Sequence, residues 1–211
     1  MMCGGLTVFS PIVRNGAGPG KRVGVIGIGR LGHYAIMFAK ALGAEVYAFT
    51  HSRHEEADIK KMGGRPYCCD GSRLSRAAPE RAGLDCFYCK RFRRDQAFGI
   101  SLVRGSILRE ESGVAEIFHL SRMLEMHGKF ICVGAPDEPI QSVSPFSLIF
   151  NGCFFGGSKI GSKKEATMML ELAARKSIKP SIEELPMKDV SKAVKGVVEN
   201  KVRYVLKQDL A

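Results

Sequence analysis

Tryptophan is absent from this chain, and so is any apolar run of membrane-spanning length. The longest apolar stretch, Pro145 to Gly157, is broken by Ser147, Asn151 and Gly152, whereas a transmembrane helix needs about 20 consecutive, predominantly apolar residues. No membrane partner is therefore expected. The opening residues, Met1-Met2-Cys3-Gly4-Gly5, lack the charged and apolar regions of an export signal. The seven cysteines then read as reduced thiols in a cytoplasmic protein. Acidic residues are short as well, 21 against 32 Lys and Arg, leaving a formal charge of +11. Such a balance suits nucleic acid, acidic membranes or phosphorylated ligands. Part of it is local, since Arg65 to Glu110 holds ten Lys/Arg and five Asp/Glu. Its densest run, Lys90-Arg91-Phe92-Arg93-Arg94, has the makeup of a solvated loop, so nucleic acid is not the expected partner.

What remains is ordinary globular composition, 45% hydrophobic and 25% charged over 211 residues. That is enough chain for one full domain and part of a second. Lys21 to Gly27 reads as a short buried strand, entered from the turn Gly16-Ala17-Gly18-Pro19-Gly20. From Leu31 to Leu42 apolar residues fall at helical spacing, and Gly43 supplies the stop. Glu45 to Thr50 is a second strand and Glu55 to Met62 a second helix. This alternation predicts an α/β fold with a doubly wound parallel sheet of the Rossmann type. The rhythm fades between residues 66 and 113, where Leu84 to Tyr88 is the one candidate strand. It returns as a helix over Ala115 to Met126, strands at Lys129 to Gly134 and Cys153 to Ser158, helices over Lys163 to Lys176 and Val190 to Val198, and a strand at Arg203 to Leu206.

The loop Gly27-Ile28-Gly29-Arg30-Leu31-Gly32 carries the chemistry. Gly27 lets the chain turn off the strand, Gly29 lets backbone approach a pyrophosphate, and Gly32 permits close helix–strand packing. The helix opening near Arg30 would aim unpaired N–H groups and a positive dipole end at the phosphates. At the tip of the second strand an NAD site places a carboxylate for the ribose 2′-hydroxyl. Here Thr50-His51-Ser52-Arg53-His54 stand instead. Hydroxyls, imidazoles and the Arg53 fork suit a 2′-phosphate, which points to NADP(H), although Glu55 and Glu56 follow closely. Cys86-Phe87-Tyr88-Cys89 with Cys68-Cys69 upstream resembles a zinc ribbon only superficially, because adjacent cysteines make poor tetrahedral geometry. Cys132 and Cys153 read as small core residues.

The stretches Met2 to Pro11, Val25 to His33, His127 to Pro136 and Gly157 to Ser162, with Glu184 to Met187 and Arg203 to Leu206, resemble the C-terminal portion of zinc-dependent medium-chain alcohol dehydrogenases of the cinnamyl-alcohol-dehydrogenase-like, NADP-preferring branch. The likeness covers roughly residues 1–65 and 114–211. It implies hydride transfer between primary alcohols and aldehydes, and homodimers formed through the nucleotide-binding domain. It matches Cys3 to the third catalytic-zinc ligand, and Gly27, Gly29, Arg30, Leu31 and Gly32 to the pyrophosphate loop. Thr50 and His51 match 2′-phosphate contacts; Val133, Gly134 and Ala135 with Ser158 and Ile160 match the nicotinamide lining. His33 and His127 match structural or cofactor-adjacent positions, and neither is a candidate base. Residues 1–161 would then form the dinucleotide-binding domain, and residues 162–211 a remnant of the catalytic-domain side. The family's Cys-x-x-His and Gly-His-Glu stretches and its four-cysteine zinc site are not found here. Zinc is therefore expected in the full-length family rather than on this chain. The segment 66–113 reads as a divergent insertion or a frame or splicing artefact, and a catalytically silent nucleotide-binding module or pseudogene product is the alternative reading.

Overall fold

The computed structural model describes residues 1–50, 55–68, 97–101, 124, 126–134, 145–150, 152–180, 182–198 and 204–208. Six parallel strands form the main sheet: β1 (Arg22–Ile26), β2 (Glu45–Thr50), β3 (Arg65–Cys68), β4 (Ala97–Ser101), β5 (Lys129–Cys132) and β6 (Phe154–Gly157). Their spatial order is β3-β2-β1-β4-β5-β6, and every neighbouring pair is parallel. This is the strand order of the dinucleotide-binding fold, whose direction of winding reverses between β1 and β4.

The first crossovers form as the sequence spacing requires. Helix α2 (Gly32–Ala41) buries Tyr34, Ala35, Ile36, Phe38 and Ala39, and the chain leaves it through Gly43 at φ 92°. A Cβ at that φ would be strained. Helix α3 (Glu56–Lys61) buries Ile59 and is likewise followed by Gly63 at φ 84°. Across the far end of the sheet, Glu45 bridges Arg22 at 3.7 Å and also pairs with Arg65. The Arg65 guanidinium donates to Tyr47 Oη at 3.2 Å. Three strands are thereby tied at their amino ends.

Two elements go beyond the sequence pattern. Within 66–113, where the pattern offers Leu84 to Tyr88 as the one candidate strand, Ala97–Ser101 sits between β1 and β5, with Gly99 opposite Gly24 and Gly99 also opposite Phe130. A five-residue strand with glycine at its centre carries little local signal; pairing on both sides makes it a strand. The candidate strand at Leu84 to Tyr88 lies outside the described residues. The second is helix α1 (Met2–Arg14), which runs through Pro11 and buries Gly5 to Ile12. Its face packs on α2, with Phe9 edge-on to Phe38 at 5.3 Å.

Helix α4 (Pro145–Ile149) precedes β6. Helix α5 (Lys163–Arg175) lies against α1 and adds Met169, Leu172 and Ala173 to the core built by α1, α2, β1 and β2. Its amino end is a complete capping box. Ser162 Oγ accepts from Glu165 N at 3.3 Å, and Ser162 N donates to Glu165 Oε2 at 2.6 Å. The same carboxylate takes both arms of Arg14, Nε at 2.6 Å and Nη2 at 2.8 Å, joining α1 to α5. The chain ends in a two-stranded parallel sheet, β7 (Glu183–Pro186) with β8 (Tyr204–Lys207). Helix α6 (Val190–Val198) crosses between them, and the Tyr204 ring lies over Gly196. Among the described residues no helix is long and apolar enough to cross a membrane.

Candidate functional site

Parallel strands point their carboxyl ends to one edge of the sheet, and ligands of such folds sit in the crevice outside that edge, at the reversal of winding. Those candidate cofactor-binding residues that are described lie at or just beyond these strand ends. β1 ends at Ile26 and hands the chain to Gly27. β2 ends at Thr50, β5 at Cys132 just before Val133 and Gly134, and β6 at Gly157 just before Ser158 and Ile160. Hydrogen bonds tie these ends in pairs. Gly27 N donates to Phe49 O at 3.0 Å, and Ser158 N to Cys132 O at 3.0 Å. His51, Arg53 and Ala135 lie outside the described residues.

Gly27 has φ 82°, a conformation that demands glycine, so the tight turn off β1 is real. Gly29 is different. Its φ is not in the left-handed region, and a Cβ there would meet nothing within 4 Å. Neither backbone geometry nor packing inside the chain asks for glycine at this position. The space over it is what a diphosphate needs. Helix α2 starts immediately beyond, with Leu31 as N-cap, no side-chain cap and no acidic residue in the first turn. His33 N reaches back to Gly29 O at 3.3 Å and Ala35 N to Leu31 O at 3.1 Å, so the helix is wound from its first turn. The lack of a side-chain cap at Leu31 and the positive end of the helix dipole make that terminus receptive to an anion. Arg30 is exposed at the mouth, while Gly32 is buried. The residues present therefore fit the dinucleotide.

On the other flank, the loop after β6 is seated on α1. A Cβ on Gly161 would collide with Ser10 Oγ and come within 2.9 Å of Leu6 Cδ1. This seat fixes the turn holding Ser158 and Ile160, the latter at φ 37°. Nothing in the local pattern singles out Gly161, because close approach to a helix 151 residues earlier at Ser10 leaves no local trace. Val133 packs against the main core from the end of β5. The thiols of Cys132 and Cys153 are pushed up by burial. Cys153 is buried with Leu124 and Phe130, and Cys132 packs against that cluster, as the sequence suggested for both.

Cys3 stands exposed on the first turn of α1, its carbonyl accepting from Thr7 Oγ1 at 2.9 Å. Among the described residues no three His, Cys, Asp or Glu side chains group closely enough to hold a metal. A catalytic zinc takes three protein ligands and one open position, and the described residues do not fit one. His33 is fully buried in α2 with its ring 3.9 Å from that of Tyr34.

A domain model described as "D-isomer specific 2-hydroxyacid dehydrogenase, NAD binding domain" matches residues 14–71, the run from β1 to β3. Vomilenine reductase and cinnamyl alcohol dehydrogenase 2, both of Rauvolfia serpentina, are each 32% identical over 205 residues, covering 97% of this chain and 51% of theirs. Among solved structures, a cinnamyl alcohol dehydrogenase of Sorghum bicolor superposes with a TM-score of 0.74 at 27% identity, over 98% of this chain and 53% of that one. The Helicobacter pylori enzyme, complexed with NADP(H), gives 0.71 at 25% identity, over 99% and 53%. The chain spans about half the length of the curated relatives it matches.

Proposed function

We propose, from the premise that this chain matches the C-terminal part of the medium-chain alcohol dehydrogenases of the cinnamyl alcohol dehydrogenase type, that it holds NADP(H) for the interconversion of primary alcohols and aldehydes. The observation that carries the reading is Gly29. Its missing side chain faces open space at the uncapped start of α2, at the reversal of winding in the sheet. Backbone amides at Arg30, Leu31 and Gly32 would bind the diphosphate, with Gly27 setting the turn. Thr50, His51 and Arg53 would face the 2′-phosphate. Val133, Gly134 and Ala135, with Ser158 and Ile160 on the Gly161 seat, would line and orient the nicotinamide. When bound, the nicotinamide supplies or accepts the hydride that changes an aldehyde into an alcohol or back.

A second reading is a nucleotide-binding module without chemistry of its own. It is favoured by Cys3 being the one residue matched to the family's zinc ligands. The two readings part in an assay of NADPH-dependent aldehyde reduction by the purified chain with zinc supplied; turnover supports the first, and binding without turnover the second. We assign residues 1–161 to the dinucleotide-binding domain and 162–211 to the catalytic-domain side, and place the protein in the cytoplasm. A homodimer through the edge strand β6 suits the exposed side chains of Phe146, Ile149, Phe150 and Phe154 beside it.

Fluorescence titration is the direct test of the cofactor reading. NADPH emission should change on adding the chain, and NADH should bind more weakly. Absence of binding to both, in protein that melts cooperatively, would overturn it.

A further inference from the structure

Thr50 closes β2 at the carboxyl edge of the sheet, 4% exposed, and its hydroxyl donates to the carboxylate of Glu55. Glu55 stands at the N-cap position of α3 but does not cap that helix with its side chain. The carboxylate is instead folded back onto the strand end. In a dinucleotide fold the tip of the second strand is where the adenosine ribose is held, and an acid there accepts from the ribose 2′-hydroxyl. The residue at the tip of this strand is a threonine, so a reading by sequence position finds no acid. The folded chain supplies one from five residues downstream.

The consequence follows from counting protons. A hydroxyl has one hydrogen to give. A ribose 2′-hydroxyl can donate to Glu55 while Thr50 keeps its own bond to the same carboxylate, which accepts both, so the pair accommodates it without rearrangement. A 2′-phosphate carries a charge of about −1.5 to −2 and only accepts. It competes with Glu55 for the Thr50 proton and is repelled by the carboxylate at the same time. We propose that Glu55 sets the discrimination between NADP(H) and NAD(H): its carboxylate, held on Thr50, lowers the affinity for the 2′-phosphate and supports that for the 2′-hydroxyl. This rests on the dinucleotide reading above. Glu56 and Asp58 in the first turn of α3 add charge of the same sign nearby, but neither is bonded to the strand tip.

The test uses the full chain and measures dissociation constants for NADPH and NADH side by side. Glu55→Gln keeps the shape, still accepts from Thr50, and replaces the charge with an amide that can donate to phosphate. The ratio of NADPH to NADH affinity should rise about tenfold, the scale of one carboxylate charge against a 2′-phosphate about 4 Å away in bulk water. Thr50→Val in the Gln background should remove most of that gain. A structural role for Glu55 would weaken both nucleotides together and leave the ratio within about twofold of the starting value, which overturns the proposal while the cofactor reading stands. If the unaltered chain binds neither nucleotide, both fall. Matched melting curves for the variants show that the ratio is read from folded protein.

Discussion

A valine at Gly29 would project into open space rather than into the protein, so the substitution separates folding from binding. The melting temperature should stay within a few degrees of the original, since no packing is disturbed and φ is ordinary. Nucleotide affinity should fall at least tenfold, because backbone amides can no longer approach a diphosphate. Retained affinity would place the site elsewhere. Gly161 is the opposite case. Its missing Cβ is demanded by Ser10 and Leu6, both on a buried helix face. Gly161→Ala should cost about 1–3 kcal/mol, the range for overpacking a well-filled site, measured by urea unfolding. It should also loosen the turn of Ser158 and Ile160. An unchanged midpoint would show that the loop can lift off α1 without penalty. The first glycine was legible from the Gly-x-Gly-x-x-Gly spacing after an apolar run; the second was not, since its constraint lies 151 positions away at Ser10 in the chain.

Between elements, the firmest polar joint is the bidentate Arg14–Glu165 pair inside the capping box of α5. The Arg14 guanidinium, and after it the Ser162 N–H, hold the Glu165 carboxyl at about 2, below its ordinary 4.5. A lowered pKa gives stability that is complete above the unfolded value and lost as pH falls through the folded one. Melting temperature should therefore drop more steeply between about pH 5 and pH 2 in the original chain than in Glu165→Gln. Parallel slopes would mean the carboxylate is indifferent to its partners. Half of the Arg14 side chain is exposed, so added salt should soften the difference. Ser162→Ala, which removes the accepting hydroxyl from the cap, should cost about 1 kcal/mol by itself. The Ser162–Glu165 cap was not singled out in advance; the amphipathic face of this helix was readable from Met168, Met169, Leu172 and Ala173. Of these, the structure buries Met169, Leu172 and Ala173 and leaves Met168 exposed. The identity of the helix that covers them was not readable.

For the molecule as a whole, β3 and β6 are the outer strands of the sheet among the described residues, and the β6 side is apolar. Phe154 is 58% exposed on the strand, and Ile149 is 72% exposed on the helix before it. An unpaired strand with large hydrophobic neighbours is a template for another strand. Sedimentation of the purified chain should show a dimer, and Phe154→Lys should shift it to monomer without lowering the melting temperature. A monomer at high concentration would count against the edge as an interface. The small βαβ unit of β7, α6 and β8 also exposes apolar side chains at Val190, Val194 and Val205, as a two-stranded sheet with one covering helix must, having too few layers to bury them.

The sequence alone determined the strand–loop–helix–strand unit from Arg22 to Thr50. There the signal is local: an apolar run, three glycines with fixed spacing, and a helical stripe ended by glycine. It also determined the class of ligand, because the phosphate-facing groups are backbone amides whose placement follows from those glycines. Tertiary structure decided what depends on partners distant in the chain. It made a helix of Met2–Arg14 despite two glycines and a proline, because α2 and α5 cover its apolar face. It made a central strand of Ala97–Ser101, because β1 and β5 each offer it a row of hydrogen bonds. It brought Glu55 back onto Thr50, giving the strand tip an acid that no residue at that position supplies. Local pattern encodes what neighbours along the chain can satisfy among themselves; a slot in a sheet, a seat on a helix and a returned carboxylate exist only once the chain has closed on itself.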